Sequence, residues 1–301
     1  MIKPGKFHGN VVPLATPFTP EGKLDVAAAE RIIHRLVDNQ IGVFVLGTTG
    51  EAASIHGSLR TQLVETAVRT ASGRVPVFAG VGDNCADDAI AAANSYLRQG
   101  VDAVVAHLPG YYQLEPAEMQ AYFELLADAT CGPLLLYNIP QTTGMSVPVD
   151  VVDRLSTRGN VIGFKDSENA PGRVEGVAAR LAGRPDFSLF MGVARHSVKA
   201  LRLGFDGLVP SSGNLAPELW RDLYTAARAG DWTRAEALQV QLDDVARVFQ
   251  RDRSLAQSLA ALKVAMESRG LCGSTVLPPL RPLDEAARTT IRRELQALGL
   301  S

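Results

Sequence analysis

The sequence predicts an α/β fold, a (β/α)8 TIM barrel carrying a C-terminal helical extension. Three observations carry the prediction. Eight short β-rich runs recur along the chain, and helix-like sequence lies between them. The runs are continuously apolar instead of alternating, the pattern of parallel strands covered on both faces. No shift in composition interrupts the series before about residue 228, and one closed barrel commonly takes about 250 residues. The competing arrangement is an open, doubly wound sheet.

The strands are expected at Val11–Leu14, Gly42–Leu46, Val75–Gly80, Ala103–His107, Pro133–Asn138, Val161–Lys165, Phe187–Met191 and Gly207–Pro210. Amphipathic or Ala-rich helices are expected at Val26–Asn39, Leu59–Ala71, Asp87–Gln99, Pro116–Ala129, Arg173–Ala182 and Pro217–Ala229. Asp25, Ser58, Asp87 and Glu115-Pro116 signal helix starts, because a side-chain oxygen there accepts from otherwise unpaired first-turn N–H groups. Gly73 and Gly100 signal stops. Three more helices follow, at Trp232–Gln250, Ser254–Arg269 and Asp284–Leu298. The division expected is therefore a barrel over 1–229 carrying the site and a helical appendage over 230–301. The segment Leu259–Met266 is so apolar that its helix must pack on the barrel or on another subunit.

Of the 301 residues, 46% are hydrophobic and 21% charged, an ordinary globular balance able to bury a large core. A formal net charge of −2 gives no basic field for nucleic acid. No run approaches the roughly 18 apolar residues of a membrane span, and the N-terminal stretch lacks the apolar segment of a signal peptide. Cys85, Cys131 and Cys272 are odd in number and widely spaced, which suits a reducing cytoplasm. No CxxC or HExxH pairing supports zinc, and no metal site is expected. Gly80-Val81-Gly82 is only a fragment of a dinucleotide fingerprint, and no Walker A sequence occurs.

In such barrels chemistry sits at the carboxyl ends of the strands. Strand two ends in Gly47-Thr48-Thr49-Gly50-Glu51, where two hydroxyls flanked by glycines offer donors to a carboxylate; the alternative is a turn whose Thr side chains cap the next helix. Strand four is followed by Pro109-Gly110-Tyr111-Tyr112, and strand five ends in Tyr137-Asn138-Ile139-Pro140. A Tyr hydroxyl beside a carbonyl-addition site relays protons, though a buried, satisfied Tyr is the commoner case. Gly192, Arg195, Val209 and Ser211 mark the ends of strands seven and eight. Arg195 offers a bidentate fork to a carboxylate or is simply a solvated helix-start residue. His107 and His196 reach the same rim, where a lone His is more often structural or exposed.

Only six lysines stand among thirty basic residues, and Lys165 alone ends an apolar strand, Val161-Ile162-Gly163-Phe164-Lys165. It is either a buried ion-pair member or a nucleophile. Arg cannot serve where a neutral amine is needed, whereas burial lowers a lysine pKa and frees the amine to attack a ketone. Asp166 is the nearest ion-pair candidate, yet adjacent strand residues face opposite ways. Strands five and six should be neighbours, which places Tyr137 beside Lys165. Lys199 reads as a helix-surface residue and Lys263 as a helix-packing one.

Taken in order, the Gly47–Glu51, Tyr137–Pro140 and Gly163–Asp166 motifs, spaced by about 90 and 28 residues, resemble those of the dihydrodipicolinate synthase/N-acetylneuraminate lyase family. The similarity covers nearly the whole chain, including the helical tail. The resemblance implies a class I, Schiff-base-forming aldolase-type enzyme acting on pyruvate or another 2-oxo acid. It implies no cofactor beyond the covalent imine on Lys165. Tyr137 would relay protons, helped by Thr48 and by Tyr111, a residue family members borrow from a neighbouring subunit. Thr48 and Thr49 would hold the substrate carboxylate, with Gly192 and Val209 in the substrate-binding set. A homodimer or homotetramer follows from the borrowed tyrosine.

The departures shape the substrate expectation. Synthases making dihydrodipicolinate carry an Arg after the Tyr-Asn-x-Pro motif; here Thr142 takes that place, and a hydroxyl cannot replace a guanidinium. Gly110 alters the aromatic pattern before Tyr111. Sialic-acid lyases would show polar and acidic residues after the strand-seven Gly, where this chain has Val193, Ala194 and Arg195. A 2-keto-3-deoxy sugar acid or related oxo acid is therefore expected, with Arg195, Thr142 and Ser211 reading its distal end. The reaction is aldol cleavage or dehydration. The alternatives are dihydrodipicolinate synthase itself, with condensation of pyruvate and aspartate semialdehyde, and a barrel that binds a carboxylate without turnover.

Overall fold

Eight parallel strands follow one another around the sheet in sequence order, and β8 returns to β1 to close it. They are β1 Gly9–Pro13, β2 Gly42–Val45, β3 Val77–Gly80, β4 Ala103–His107, β5 Leu134–Asn138, β6 Val161–Asp166, β7 Ser188–Met191 and β8 Gly207–Leu208 in the computed structural model, which describes residues 6–300. The closing register pairs Gly9 with Gly207 and Asn10 with Leu208. A TIM barrel is thus the fold, and three helices follow its last βα unit.

By contact the chain divides into two compact units. One holds residues 6–11 with Phe78–Pro210, the other Val12–Val77 with residues 211–300. The first unit contains β4 to β8 and six helices: α3 Ala86–Gln99, α4 Pro116–Ala129, α5 Pro140–Thr143, α6 Val149–Leu155, α7 Arg173–Leu181 and α8 Ser197–Arg202. Its strands are buried along almost their whole length, as parallel strands covered on both faces must be. The register runs Val104–Leu134, Leu136–Phe164 and Phe164–Leu189 from β4 through β7, stacking large apolar side chains in layers.

The second unit contains β2 with α1 Val26–Asp38, α2 Gly57–Ala71, α9 Pro217–Arg228, α10 Trp232–Gln250, α11 Leu255–Ser268 and α12 Glu285–Ala297. Asp25 caps α1 by accepting from the Ala28 N–H at 3.0 Å, and the helix buries Ala28, Ala29, Ile32, Ile33, Leu36 and Val37 along one stripe. Ser254 and Gln257 form a reciprocal capping box on α11, which buries Ala260 to Met266 almost completely. In sequence α11 is the apolar helix expected to pack, and its neighbours are α10 and α12.

Several boundaries differ from the sequence expectation for local reasons. The third and fifth strands begin after Pro76 and Pro133, since proline has no N–H for the ladder. The second ends at Val45 because Leu46 turns to a φ of +58°. Helix α2 starts at Gly57, one residue before Ser58, and is capped by His56, whose ring accepts from the Ser58 N–H. Helix α3 starts at Ala86, leaving Asp87 and Asp88 in the first turn, where their charge favours the helix dipole. The short helices α5, α6 and α8 lack the long apolar periodicity that marks the others.

Candidate active site

Lys165 is the register partner of Tyr137, and Tyr137 that of His107, so the three form a row at the carboxyl ends of β6, β5 and β4. Parallel sequential strands produce this adjacency directly. Lys165 and Tyr137 are 5% and 4% exposed, so both act in a desolvated setting. The Lys165 Nζ lies 3.7 Å from the centroid of the Tyr137 ring. Burial pushes the amine below the ordinary lysine value, while the hydrogen bond and charge of the Tyr137 side chain pull it partly back. A buried amine held toward its neutral form beside a phenol can add to a carbonyl and exchange protons with the adduct.

Strand parity sends Asp166 the other way. Its Oδ2 accepts from Arg173 Nε at 2.6 Å, and its Oδ1 from Asn138 Nδ2 at 2.9 Å and the Glu168 N–H at 3.0 Å. Glu168 also accepts from Asn138 and from Ser146, at 2.8 and 2.6 Å. This network ties the loops after β5 and β6 together and leaves the Asp166 carboxylate engaged with Arg173 instead of Lys165. Burial raises the Asp166 pKa, and the Arg173 guanidinium opposes that rise.

In the second unit, Thr48 and Thr49 follow β2 as half-buried residues in a tight turn, with the Gly50 N–H donating to the Gly47 carbonyl at 3.0 Å. Neither their hydroxyls nor their backbone N–H groups have a partner among the described residues, so four donors remain for an anion. A Cβ on Gly50 would fall 2.9 Å from the Leu14 carbonyl oxygen, so this turn needs glycine there. Glu51 then adopts a left-handed φ of 57° and meets Lys263 of α11 at 2.6 Å, both side chains fully buried. The Leu277 N–H donates to the other Glu51 oxygen at 3.0 Å, and Lys263 donates to the Thr275 carbonyl at 2.7 Å. Lys263 is therefore more than a packing residue: it is the buried counter-ion of the Thr-Thr turn.

Gly192 closes on β6, its N–H donating to the Asp166 carbonyl at 2.7 Å, and a Cβ there would fall 2.0 Å from Ser167 Oγ. Ser167, two residues beyond Lys165, is a site candidate that sequence reasoning passed over, although period-two parity points to it. Val209 is buried and bonded to the Met191 carbonyl at 2.8 Å. Thr142 is exposed on α5, its hydroxyl donating to the Ile139 carbonyl at 3.3 Å. Arg195 is exposed on a single 3-10 turn, Ala194–His196. Ser211, in the other unit, accepts from Gln250 of α10 at 3.4 Å. Tyr111 is 77% exposed and stacks edge-on against Tyr112 at 5.0 Å. Among the described residues no cluster of three or more His, Cys, Asp or Glu is placed to hold a metal ion, and no helix is long and apolar enough to cross a membrane.

Fold and site together define a parallel (β/α)8 barrel with a buried amine–phenol centre at the carboxyl ends of its strands. The model of the dihydrodipicolinate synthetase family matches residues 6–298. A protein of Escherichia coli (strain K12) named "Probable 2-dehydro-3-deoxy-D-pentonate aldolase YjhH" is 32% identical, over 98% of each chain. A 4-hydroxy-tetrahydrodipicolinate synthase of Halorhodospira halophila is 29% identical, again over 98% of each. The crystal structure of YagE from E. coli K12, in complex with pyruvate, superposes with a TM-score of 0.92 at 31% identity, covering 98% of this chain and 99% of that one. The chain belongs to the dihydrodipicolinate synthetase family and is a lyase.

Proposed function

We propose that this lyase cleaves or dehydrates a 2-keto-3-deoxy sugar acid, or a related 2-oxo acid, through a Schiff base on Lys165. The observation that carries the reading is the buried Lys165 amine, held below its ordinary pKa against the Tyr137 ring. The neutral amine adds to the C2 carbonyl, and loss of water gives the iminium. This cation accepts the electron pair released when the C3–C4 bond breaks as the C4 hydroxyl gives up its proton. An aldehyde leaves, the enamine is protonated at C3, and water returns the oxo acid and the free amine. Dehydration uses the same sink, with the C3 proton removed and the C4 hydroxyl leaving as water. Tyr137 is the proton carrier, assisted by Thr48. Thr48 and Thr49 supply donors for the substrate carboxylate, and Gly192 and Val209 line its site. Thr142, Arg195 and Ser211 are assigned to the distal end. The iminium is itself the electron sink, so the reaction calls for no metal or further cofactor.

The exposed Tyr111–Tyr112 pair supports a homodimer or homotetramer in which the partner subunit's Tyr111 completes the proton relay. A fully active monomer in sedimentation would remove Tyr111 from the set. The free cysteines support a cytoplasmic setting. Borohydride with pyruvate tests the chemistry: a reduced adduct is expected on Lys165 and none in Lys165→Ala. Relatives named 4-hydroxy-tetrahydrodipicolinate synthase favour a second reading, condensation of pyruvate with aspartate semialdehyde. Rapid condensation in that assay, without pyruvate release from 2-keto-3-deoxy acids, would make it the correct one.

A further inference from the structure

His107 ends β4 in direct register with Tyr137, and their rings meet edge to face, 6.2 Å apart between centroids at 76°. Its Nδ1 lies 2.7 Å from the Leu108 carbonyl oxygen. A carbonyl only accepts, so Nδ1 carries the hydrogen and Nε2 carries the lone pair of the neutral ring. Nε2 has no hydrogen-bond partner among the described residues. The ring lies over Gly82, where a Cβ would fall 2.0 Å from Nε2 and 2.4 Å from Cε1. The second glycine of Gly80-Val81-Gly82 thus has a task unrelated to nucleotides: it vacates the space in which the imidazole rests. Burial, reinforced by Lys165, holds the ring toward its neutral form, against the Leu108 hydrogen bond and Asp83.

We propose that His107 is a specificity-determining residue whose Nε2 accepts a hydrogen bond from a hydroxyl of the substrate chain beyond the imine carbon. The inference rests on the Schiff-base reading and deepens it. Neighbouring strands lie about 4.8 Å apart, so His107 stands about 10 Å from Lys165 at the backbone, with Tyr137 between them. An oxo acid fixed through C2 extends its C4 and C5 hydroxyls over a few ångströms from the amine. A neutral lone pair there welcomes a hydroxyl and repels a carboxylate. That preference selects a polyhydroxylated chain over a semialdehyde whose far end is an anion.

The test compares wild type with His107→Phe, which keeps a flat ring over Gly82, and His107→Gln, which restores an acceptor. Each enzyme is assayed for borohydride trapping of pyruvate and for kcat and KM with 2-keto-3-deoxy-D-pentonate. For His107→Phe, the ratio of kcat/KM for the hydroxylated acid to the pyruvate-trapping rate should fall about tenfold, mainly through KM, the size of one neutral hydrogen bond. The Gln variant should bring the ratio back to within about threefold. A ratio unchanged in His107→Phe, or one that Gln fails to restore, overturns the assignment. Absence of a pyruvate adduct in wild type strikes instead at the imine reading beneath it.

Discussion

The Nζ of Lys165 sits 3.7 Å from the ring centroid of Tyr137, across directly paired positions of β6 and β5. Nothing but backbone register is needed to bring them together. The pairing puts an amine destabilised as a cation beside the side chain that partly stabilises it, and the pair's behaviour follows from that balance.

Replacing Lys165 by Met should abolish the borohydride adduct and still yield a more stable protein. Desolvation of the buried amine works against the fold, so an apolar side chain of similar length should gain on the order of 1–2 kcal/mol. Calorimetry should show Tm rising by a few degrees. A lower Tm would mean that the amine contributes net binding energy to the folded state.

Removing the Tyr137 hydroxyl should move the pH dependence in a defined direction. The amine reacts when deprotonated, so trapping of pyruvate accelerates with pH through the Lys165 pKa. The Tyr137 side chain raises that pKa against the larger lowering by burial. Tyr137→Phe should therefore shift the ascending limb to lower pH, and under the proposed proton-carrier role of Tyr137 the turnover rate should fall by about 100-fold or more. A limb displaced to higher pH would contradict the hydrogen bond.

The Glu51–Lys263 pair should behave as a buried ion pair whose members are costly to separate. Glu51→Gln leaves the Lys263 amine buried without its counter-ion and should cost about 3–5 kcal/mol in chemical denaturation, whereas Glu51→Gln with Lys263→Met should recover most of it. Burial lowers the Lys263 pKa and Glu51 raises it back, so the single variant lowers it further. The unfolded chain then binds more protons than the folded one between that lowered value and about 10.4, and the variant's stability should climb with pH across this window. A loss independent of pH would assign the effect to packing.

Gly192→Ala should impair catalysis through a collision with Ser167. The added carbon would fall 2.0 Å from Ser167 Oγ and 3.1 Å from the Asp166 carbonyl oxygen. We expect kcat to fall about tenfold or more from sub-ångström displacement near Lys165, with Ser167→Gly restoring part of it. No rescue would place the strain in the backbone contact alone.

The placing of Lys165 beside Tyr137 is legible in the sequence because sequential parallel strands become neighbours. Lys165, Tyr137 and the Asp166 parity argument all depend on that rule. Prolines 76 and 133 start two strands later than their apolar runs suggest, and the short helices after β5 lack a periodicity long enough to read. His107 and Ser167 were within reach of register and parity, but a single His or Ser carries little signal until its neighbours are fixed. Glu51 and Lys263 lie too far apart in sequence for local pattern to join them.

By itself the sequence determined the fold and the adjacency of Lys165 and Tyr137, since apolar run length, strand order and two-residue parity are local properties that topology converts into contacts. The tertiary structure alone decided what surrounds that pair: the counter-ion under the Thr-Thr turn, the serine over Gly192 and the imidazole resting on Gly82. Those contacts depend on close approach between distant segments, and van der Waals distance is written in no single stretch of chain.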